Sequence, residues 1–380
     1  MVDGLQTESE SETHFMGLAL SLARRAYGQT SPNPMVGAVL VKNGRIIGQG
    51  WHRRAGKPHA EIEALRDAQN KANDPKDATL YVTLEPCSTR GRTPPCTDAI
   101  VAAGIQRVVA AATDPNPLHA GRAFGILRCA GIGVTLSVLA KEAMRLNEAF
   151  NHWIVHRTPF VTVKTAMTLD GKIATAAGKS KWITGERARA YAMKLRMGVD
   201  AILVGINTVL ADDPALTVRQ GQGSRSKIRR RQPRRVILDA LARTPLTARI
   251  ISDDQAAQTT IVVSWLAPRK RVVALSRFVN VWVAPSHDGK IDLRWLLPKL
   301  GADSVTGLLV EGGGEVNASF LEQRLAQRIA FFYAPMILGG HNARKAVAGA
   351  GAKRLSDAIE LRDVEWRTLG PDLLLTALVR

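Results

Sequence analysis

The feature that most constrains this chain is the placement of three soft metal ligands, His59, Cys87 and Cys96, each directly behind proline. Pro58 precedes His59, Pro86 precedes Cys87, and Pro94-Pro95 precede Cys96. If the three meet at one ion, the fold must bring two helix starts and one strand end to a single point. Residues two apart in mid-helix point about 200° apart. His59 and Glu61 can therefore face the same ion only where a helix is just beginning, as it does behind Pro58. Cys96 also opens a helix, where the partial positive charge of the N-terminus favours thiolate over thiol. Three protein ligands leave a fourth position open, the pattern of a catalytic zinc rather than a structural one. Cys129 lies in another segment, and nothing marks it as a fourth ligand.

The expected cofactor of this half is one zinc ion per chain. Zinc lowers the pKa of bound water and so supplies hydroxide near neutral pH. Glu61 stands beside a ligand without being needed as one, which suits a carboxylate that moves a proton from water to a leaving amine. His-Ala-Glu, then Pro-Cys, then a second Cys matches the signature of the nucleobase deaminases. In the members that edit nucleic acids, two residues separate the cysteines. Here the interval from Ser88 to Pro95 is longer and carries Arg90 and Arg92 to the rim of the site. Arginine binds phosphate in a bidentate fork, so a small phosphorylated substrate fits better than a polynucleotide.

The net charge of +19 raises the polynucleotide alternative again. Much of that charge lies in one segment, Arg219 to Arg235, which is also rich in Gly, Ser and Gln. It reads as a solvated basic loop. It has no aromatic residue on which a base could stack, so nucleic acid is not an expected partner. Three cysteines give no disulfide framework and fit a reducing compartment. Met1 to Thr13 is polar and acidic rather than signal-like, and no apolar run is long enough to cross a bilayer. The expected setting is cytoplasmic, with no membrane partner and with further copies of the chain as partners in a homo-oligomer.

At 380 residues the chain is long for one domain. Strand and helix patterns alternate in both halves, which predicts an α/β fold. Residues 1–13 are expected to be a disordered acidic N-terminus, 14–157 a zinc-dependent deaminase domain and 158–380 a second α/β domain, which the resemblance below makes a reductase domain. Thr158-Pro159 breaks any helix at the junction. In the second half, Leu308 to Glu315 is a strand running into Gly312-Gly313-Gly314 and then a helix, a turn whose backbone N–H groups can hold phosphate. It is no Rossmann fingerprint, because Asn317 stands where the third glycine belongs.

Longer motifs carry a resemblance. Ser31-Pro-Asn-Pro-Met-Val-Gly37, Pro58-His-Ala-Glu61, Thr83-Leu-Glu-Pro-Cys-Ser88, Gly91-Arg-Thr-Pro-Pro-Cys96 and Asp114-Pro-Asn-Pro117 resemble the bifunctional deaminase–reductase family of riboflavin biosynthesis. Val163 to Lys172, Ser180 to Thr184 and Thr208 to Arg219 resemble its reductase half. One residue departs: Thr89 stands where the family commonly has His. The resemblance implies a cytidine-deaminase-like layered domain followed by a dihydrofolate-reductase-like domain. It implies zinc on His59, Cys87 and Cys96, with Glu61 catalytic and Asn33 facing the pyrimidine. It implies NADPH against Ala166, Trp182, Thr208, Asp212 and the run Gly313, Gly314, Glu315, Val316, Asn317, Ala318 and Ser319. The phosphorylated sugar would meet Ser180, Arg196, Leu216, Arg219 and Glu311, with Lys164 and Asp212 as candidate catalytic groups. The implied reactions are deamination of a diaminopyrimidinone ribosylamino phosphate and NADPH-dependent reduction of the deaminated product's ribosyl group to ribityl.

Overall fold

The computed structural model describes residues 2–89, 94–219 and 231–380, with side chains from residue 10 onward. The chain divides into two compact units, Met1–Arg157 and Thr158–Arg380.

The N-terminal unit is built on a five-stranded sheet. Helix α1 (Val2–Arg24) leads into β1 (Gly37–Lys42) and β2 (Arg45–Trp51), joined as an antiparallel hairpin about Asn43-Gly44. Both turn residues have positive φ, the conformation that Asn-Gly takes easily. Then come α2 (Ala60–Asn70), β3 (Thr79–Val82), α3 (Cys96–Ala102), β4 (Arg107–Ala110), α4 (Arg122–Cys129) and β5 (Gly133–Leu136). The strand order is β2-β1-β3-β4-β5, with β3, β4 and β5 parallel. Alanine lets α2 approach closely: Ala60, Ala64 and Ala68 are all fully buried. Glycine completes the fit from the sheet side. A Cβ on Gly50 would lie 2.5 Å from the Ala64 nitrogen, and one on Gly48 2.3 Å from the Ala64 oxygen. Two further helices, α5 (Ala140–Leu146) and α6 (Glu148–His156), close the unit.

The acidic start, expected to be disordered, is continuous with α1, and its Glu12 pairs with Arg107 of β4.

The C-terminal unit carries a nine-stranded sheet. Its strands are β6 (Phe160–Thr168), β7 (Ala201–Gly205), β8 (Arg234–Leu238), β9 (Thr259–Ser264), β10 (Asn280–Ala284), β11 (Gly307–Val310), β12 (Arg328–Ala334), β13 (Leu361–Leu369) and β14 (Asp372–Val379). The order is β10-β9-β8-β7-β11-β6-β12-β14-β13. The pairings from β10 across to β12 are parallel, and β14 and β13 add an antiparallel hairpin at the edge. Parallel strands buried on both faces read as apolar runs, and β7 and β11 are buried at every position. Helix α7 (Glu186–Met197) runs into β7, α8 (Ile206–Asp212) leaves it, and α9 (Gly314–Glu322) follows β11. Among the described residues, no helix is long and apolar enough to cross a membrane.

The basic segment needs correction at its C-terminal end. Residues 220–230, with Arg229 and Arg230, lie outside the described residues and Arg231 is exposed, but Arg234 and Arg235 lie on β8 rather than in a solvated loop. Arg231 pairs with buried Asp200 at 3.1 Å. Arg235 lies on β8 and is only 1 % exposed. Its guanidinium donates to Thr259 Oγ1, to both Asp253 carboxylate oxygens, and to the carbonyls of Ala215 and Ile250, at 2.7 to 3.1 Å. All five of its N–H donors are thereby used. The signal was misleading because an arginine run looks like a solvated face until one member finds enough acceptors to be buried.

Replacing Arg235 by Met would take the cation from the Asp253 carboxylate and the side-chain donor from the Ala215 carbonyl, while Ile250 would keep its bond from the Thr259 hydroxyl. The expected loss is about 3 kcal/mol, read as a lower denaturant midpoint for the C-terminal unit. Zinc content should not change.

Candidate active sites

In the N-terminal unit the three proposed ligands converge. His59 is the residue before α2, with extended backbone (φ −74°, ψ 166°), and Cys96 is the first residue of α3. Cys87 sits in the loop after β3. The His59 Nδ1 atom lies 3.5 Å from Cys87 Sγ and 3.3 Å from Cys96 Sγ. A tetrahedral zinc, with sulfur at about 2.3 Å and nitrogen at about 2.0 Å, sets ligand edges of roughly 3.5 to 3.8 Å. The donor set and its spacing therefore fit a zinc ion. The Cys96 backbone N–H donates to Cys87 Sγ at 3.2 Å, so the first amide of α3 stabilises sulfur as thiolate. The hydrogen bond between the sulfurs holds the Cys87 thiol well below its usual range, with His59 and the Cys96 N–H pulling the same way.

Glu61, in the first turn of α2, is 3 % exposed. Its Oε2 is buried and has no hydrogen-bond partner among the described residues. A buried orphan carboxylate oxygen beside three ligands is what a site for water and a polar substrate leaves open. Burial pushes the Glu61 carboxyl up to about 7, against the pull of His59. Near neutral pH it can both accept and return a proton.

Two supporting residues escaped the sequence reading. Buried His52 has Nδ1 3.0 Å from the Pro58 carbonyl and Nε2 3.1 Å from Asn33 Nδ2. A carbonyl only accepts, so Nδ1 carries the proton, and the bare Nε2 accepts from the Asn33 amide. Asn33 is thereby held one way round. Glu85, 6 % exposed, accepts N–H bonds from Asp114, Gly121 and Ala123 at 2.9 to 3.0 Å. It ties the Asp114 loop to the strand end that carries Cys87. A carboxylate directly before Pro-Cys was the available signal for Glu85. Nothing local marked His52. Thr89 is exposed. Arg90 and Arg92, expected at the rim, lie outside the described residues.

In the C-terminal unit a cleft of about 720 Å³ opens at the carboxyl ends of the parallel strands, where such sheets bind their ligands. Lys164 and Ala166 of β6, the Ser180 to Trp182 loop, Thr208 and Asp212 of α8, Glu311, and the stretch Gly312 to Val316 all line it. Ser180 Oγ donates to Asp212 at 3.3 Å. Within the run expected against the cofactor, the side chains divide between cleft and core. Helical period turns Asn317 and Ala318 into the core, at 0 % and 1 % exposure, and Asn317 donates to the Ala346 carbonyl. Ser319 lines a neighbouring cavity instead.

Arg196, expected to meet the phosphorylated sugar, is part of a charge cluster beside the cleft. Its guanidinium donates to both Glu311 oxygens at 2.7 and 2.9 Å and to the Thr217 carbonyl at 3.1 Å. Lys164 Nζ lies 3.5 Å from the same carboxylate. Burial raises the Glu311 pKa, but Lys164 and Arg196 outweigh it and hold the carboxyl down at about 2. Leu216 is buried, whereas Arg219 is exposed and outside the cleft lining.

As a class, such a chain is a zinc-dependent deaminase joined to a dinucleotide-dependent reductase. Residues 9–112 match the family described as cytidine and deoxycytidylate deaminase zinc-binding region, and residues 159–375 match the RibD C-terminal domain. The riboflavin biosynthesis protein RibD of Aquifex aeolicus is 43 % identical over 366 residues, covering 96 % of this chain and 98 % of the relative. That of Escherichia coli K12 is 41 % identical over 374 residues, with 96 % and 98 % covered. A structure of Acinetobacter baumannii RibD superposes with TM-score 0.86 at 36 % identity, covering 98 % of this chain and 99 % of the other. A Thermotoga maritima structure, described as a diaminohydroxyphosphoribosylaminopyrimidine deaminase/5-amino-6-(5-phosphoribosylamino)uracil reductase, gives 0.83 at 34 % identity, covering 98 % and 100 %. The chain belongs to the RibD family of riboflavin biosynthesis, with a zinc-binding deaminase domain and an NADPH-dependent reductase domain.

The lowered Glu311 pKa has a sign that can be checked. A depressed folded pKa contributes stability above the unfolded value, and that stability is lost as pH falls toward the folded one. Glu311→Gln should therefore be less stable than wild type above about pH 5. The gap should close toward pH 2, as followed by denaturant unfolding of the C-terminal unit across that range.

Proposed function

We propose that the N-terminal unit deaminates 2,5-diamino-6-ribosylamino-4(3H)-pyrimidinone 5′-phosphate and that the C-terminal unit reduces the resulting ribosylaminouracil to its ribityl form. The observation that carries the first step is the buried, orphaned Glu61 oxygen beside His59, Cys87 and Cys96. Zinc held by those three side chains supplies a water of lowered pKa. Glu61 takes a proton as oxygen adds to the amidine carbon. It returns that proton to the ring amine, whose C–N bond then breaks to release ammonia. His52 keeps the Asn33 amide oriented toward the pyrimidine throughout.

For the second step, NADPH supplies the hydride when bound in the cleft. The protein's part is orientation. Glu311, pinned between Arg196 and Lys164, can accept from sugar hydroxyls, while Lys164 and the Ser180–Asp212 pair face the cleft from two sides. These assignments rest on the lining of the cleft and on family membership. A cytoplasmic setting and a homo-oligomer complete the proposal. Three free cysteines support the reducing setting.

Glu61→Gln should keep its zinc and lose deamination by a factor on the order of 10² to 10⁴, while reduction of pre-formed deaminated substrate continues. Metal analysis, ammonia release and NADPH oxidation on one preparation test this. Undiminished ammonia release would remove Glu61 from the role.

The cleft assignment has its own test. A Cβ on Gly313 would meet nothing within 4 Å, and its backbone is extended (φ −73°, ψ 177°). Gly313→Leu should fold normally and fill the cleft, weakening NADPH and NADH binding alike by calorimetry.

A further inference from the structure

After α8 the chain runs from Asp213 to Arg219 without helix or strand. Among the described residues no strand pairs with this backbone, and side chains fasten it instead. The Asp213 carboxylate accepts from the Arg249 N–H at 2.8 Å. Buried Arg235 donates to the Ala215 carbonyl and Arg196 to the Thr217 carbonyl, each at 3.1 Å. Leu216, between them, is buried and has φ 51°. A bulky side chain keeps that left-handed conformation only where its surroundings over-determine it.

The last fastening comes from Gln232, 14 residues along the chain from Val218. Its Oε1 accepts from the Val218 N–H at 2.8 Å, and its Nε2 donates to the Val218 carbonyl at 3.1 Å. Val218 is buried, so both of its backbone groups need a partner there. A primary amide brings a donor and an acceptor on one side chain, and it meets the peptide group as a neighbouring strand would. Glutamate would accept without donating, and alanine would do neither. Pro233 biases Gln232 toward extended backbone, and β8 begins at Arg234, so the clasp hangs from the sheet.

What the clasp holds bears on the reductase. The Arg196 guanidinium that reaches Thr217 also forks onto Glu311, which lines the cleft. The run thus leads from Asp212, also in the cleft lining, past this charge cluster to exposed Arg219. Arg219 follows Val218 directly, so fixing both polar groups of Val218 fixes the point from which the Arg219 side chain departs. We propose that Gln232 is a positioning residue of the reductase step, holding Val218 so that Arg219 meets the 5′-phosphate of the sugar. The role rests on reading Leu216 and Arg219 as contacts of the phosphorylated sugar.

The test is steady-state reduction by the full-length protein at saturating NADPH. The substrates are the ribosylaminouracil 5′-phosphate and the same compound without its phosphate. Wild type is compared with Gln232→Ala, Gln232→Met and Arg219→Gln. Gln232→Ala should raise KM for the phosphorylated substrate about tenfold with kcat nearly unchanged, the mark of lost uniform binding. The kcat/KM for the dephosphorylated compound, the NADPH dissociation constant and ammonia release should stay at wild-type values. Gln232→Met keeps the reach of the side chain without its amide. It should move KM the same way, and it carries the test if Gln232→Ala does not fold. An unchanged KM overturns the proposal. So does an equal loss with both compounds or weakened NADPH binding, since either marks a general structural role. Arg219→Gln separates this from failure of the underlying reading. If it raises KM for the phosphorylated substrate while the Gln232 variants do not, only the positioning role falls. If it leaves KM as in wild type, the run does not meet the phosphate, and the positioning role falls with that reading.

Discussion

The deaminase site depends on how closely one helix lies on one hairpin. Helix α2 presents alanines and the hairpin answers with Gly48 and Gly50, so backbone meets backbone with no side chain between. That approach carries the start of α2 into the molecule's interior. It puts His59 among the sulfurs and draws Glu61 under cover in the same stroke. Burial of Glu61 then raises its proton affinity into the working range. The proton chemistry thus follows from a packing distance.

The reductase cleft is organised by charge instead. Glu311 is buried at the end of β11, and its desolvation is tolerable only because Arg196 and Lys164 reach it from other elements. Arg196 comes from α7 and Lys164 from β6, so the cluster also fixes how a helix and two strands meet at the mouth of the cleft. Removing Glu311 would leave two cations without a counter-charge, whereas loss of either cation leaves the other paired with the carboxylate.

Much of this was legible in the sequence. Proline before His59 and Cys96 marked the two helix starts, Asn43-Gly44 marked the hairpin, and the apolar runs marked the parallel strands. The site residues were legible where chemistry demands a rare pattern, as at His59-Ala-Glu61. They were not legible where a role depends on a partner distant in the chain. His52 looks ordinary until Asn33 and the Pro58 carbonyl are seen on either side of it. Asn317 and Ala318 follow a glycine turn directly, yet helical period turns them inward. Arg196 has the charge for a phosphate, and only the fold reveals that Glu311 pairs with it.

Arg235 illustrates a wider point about counting charge from composition. A guanidinium whose five donors all end on protein acceptors projects almost no field into solvent and gathers no counterions of its own. The same holds in part for Arg196 and Arg231. The count of lysines and arginines therefore overstates how many cations are free to meet a polyanion, whereas the net charge already subtracts their carboxylate partners. The molecule's attraction to polyanions should fall off less steeply with ionic strength than the lysine and arginine count implies.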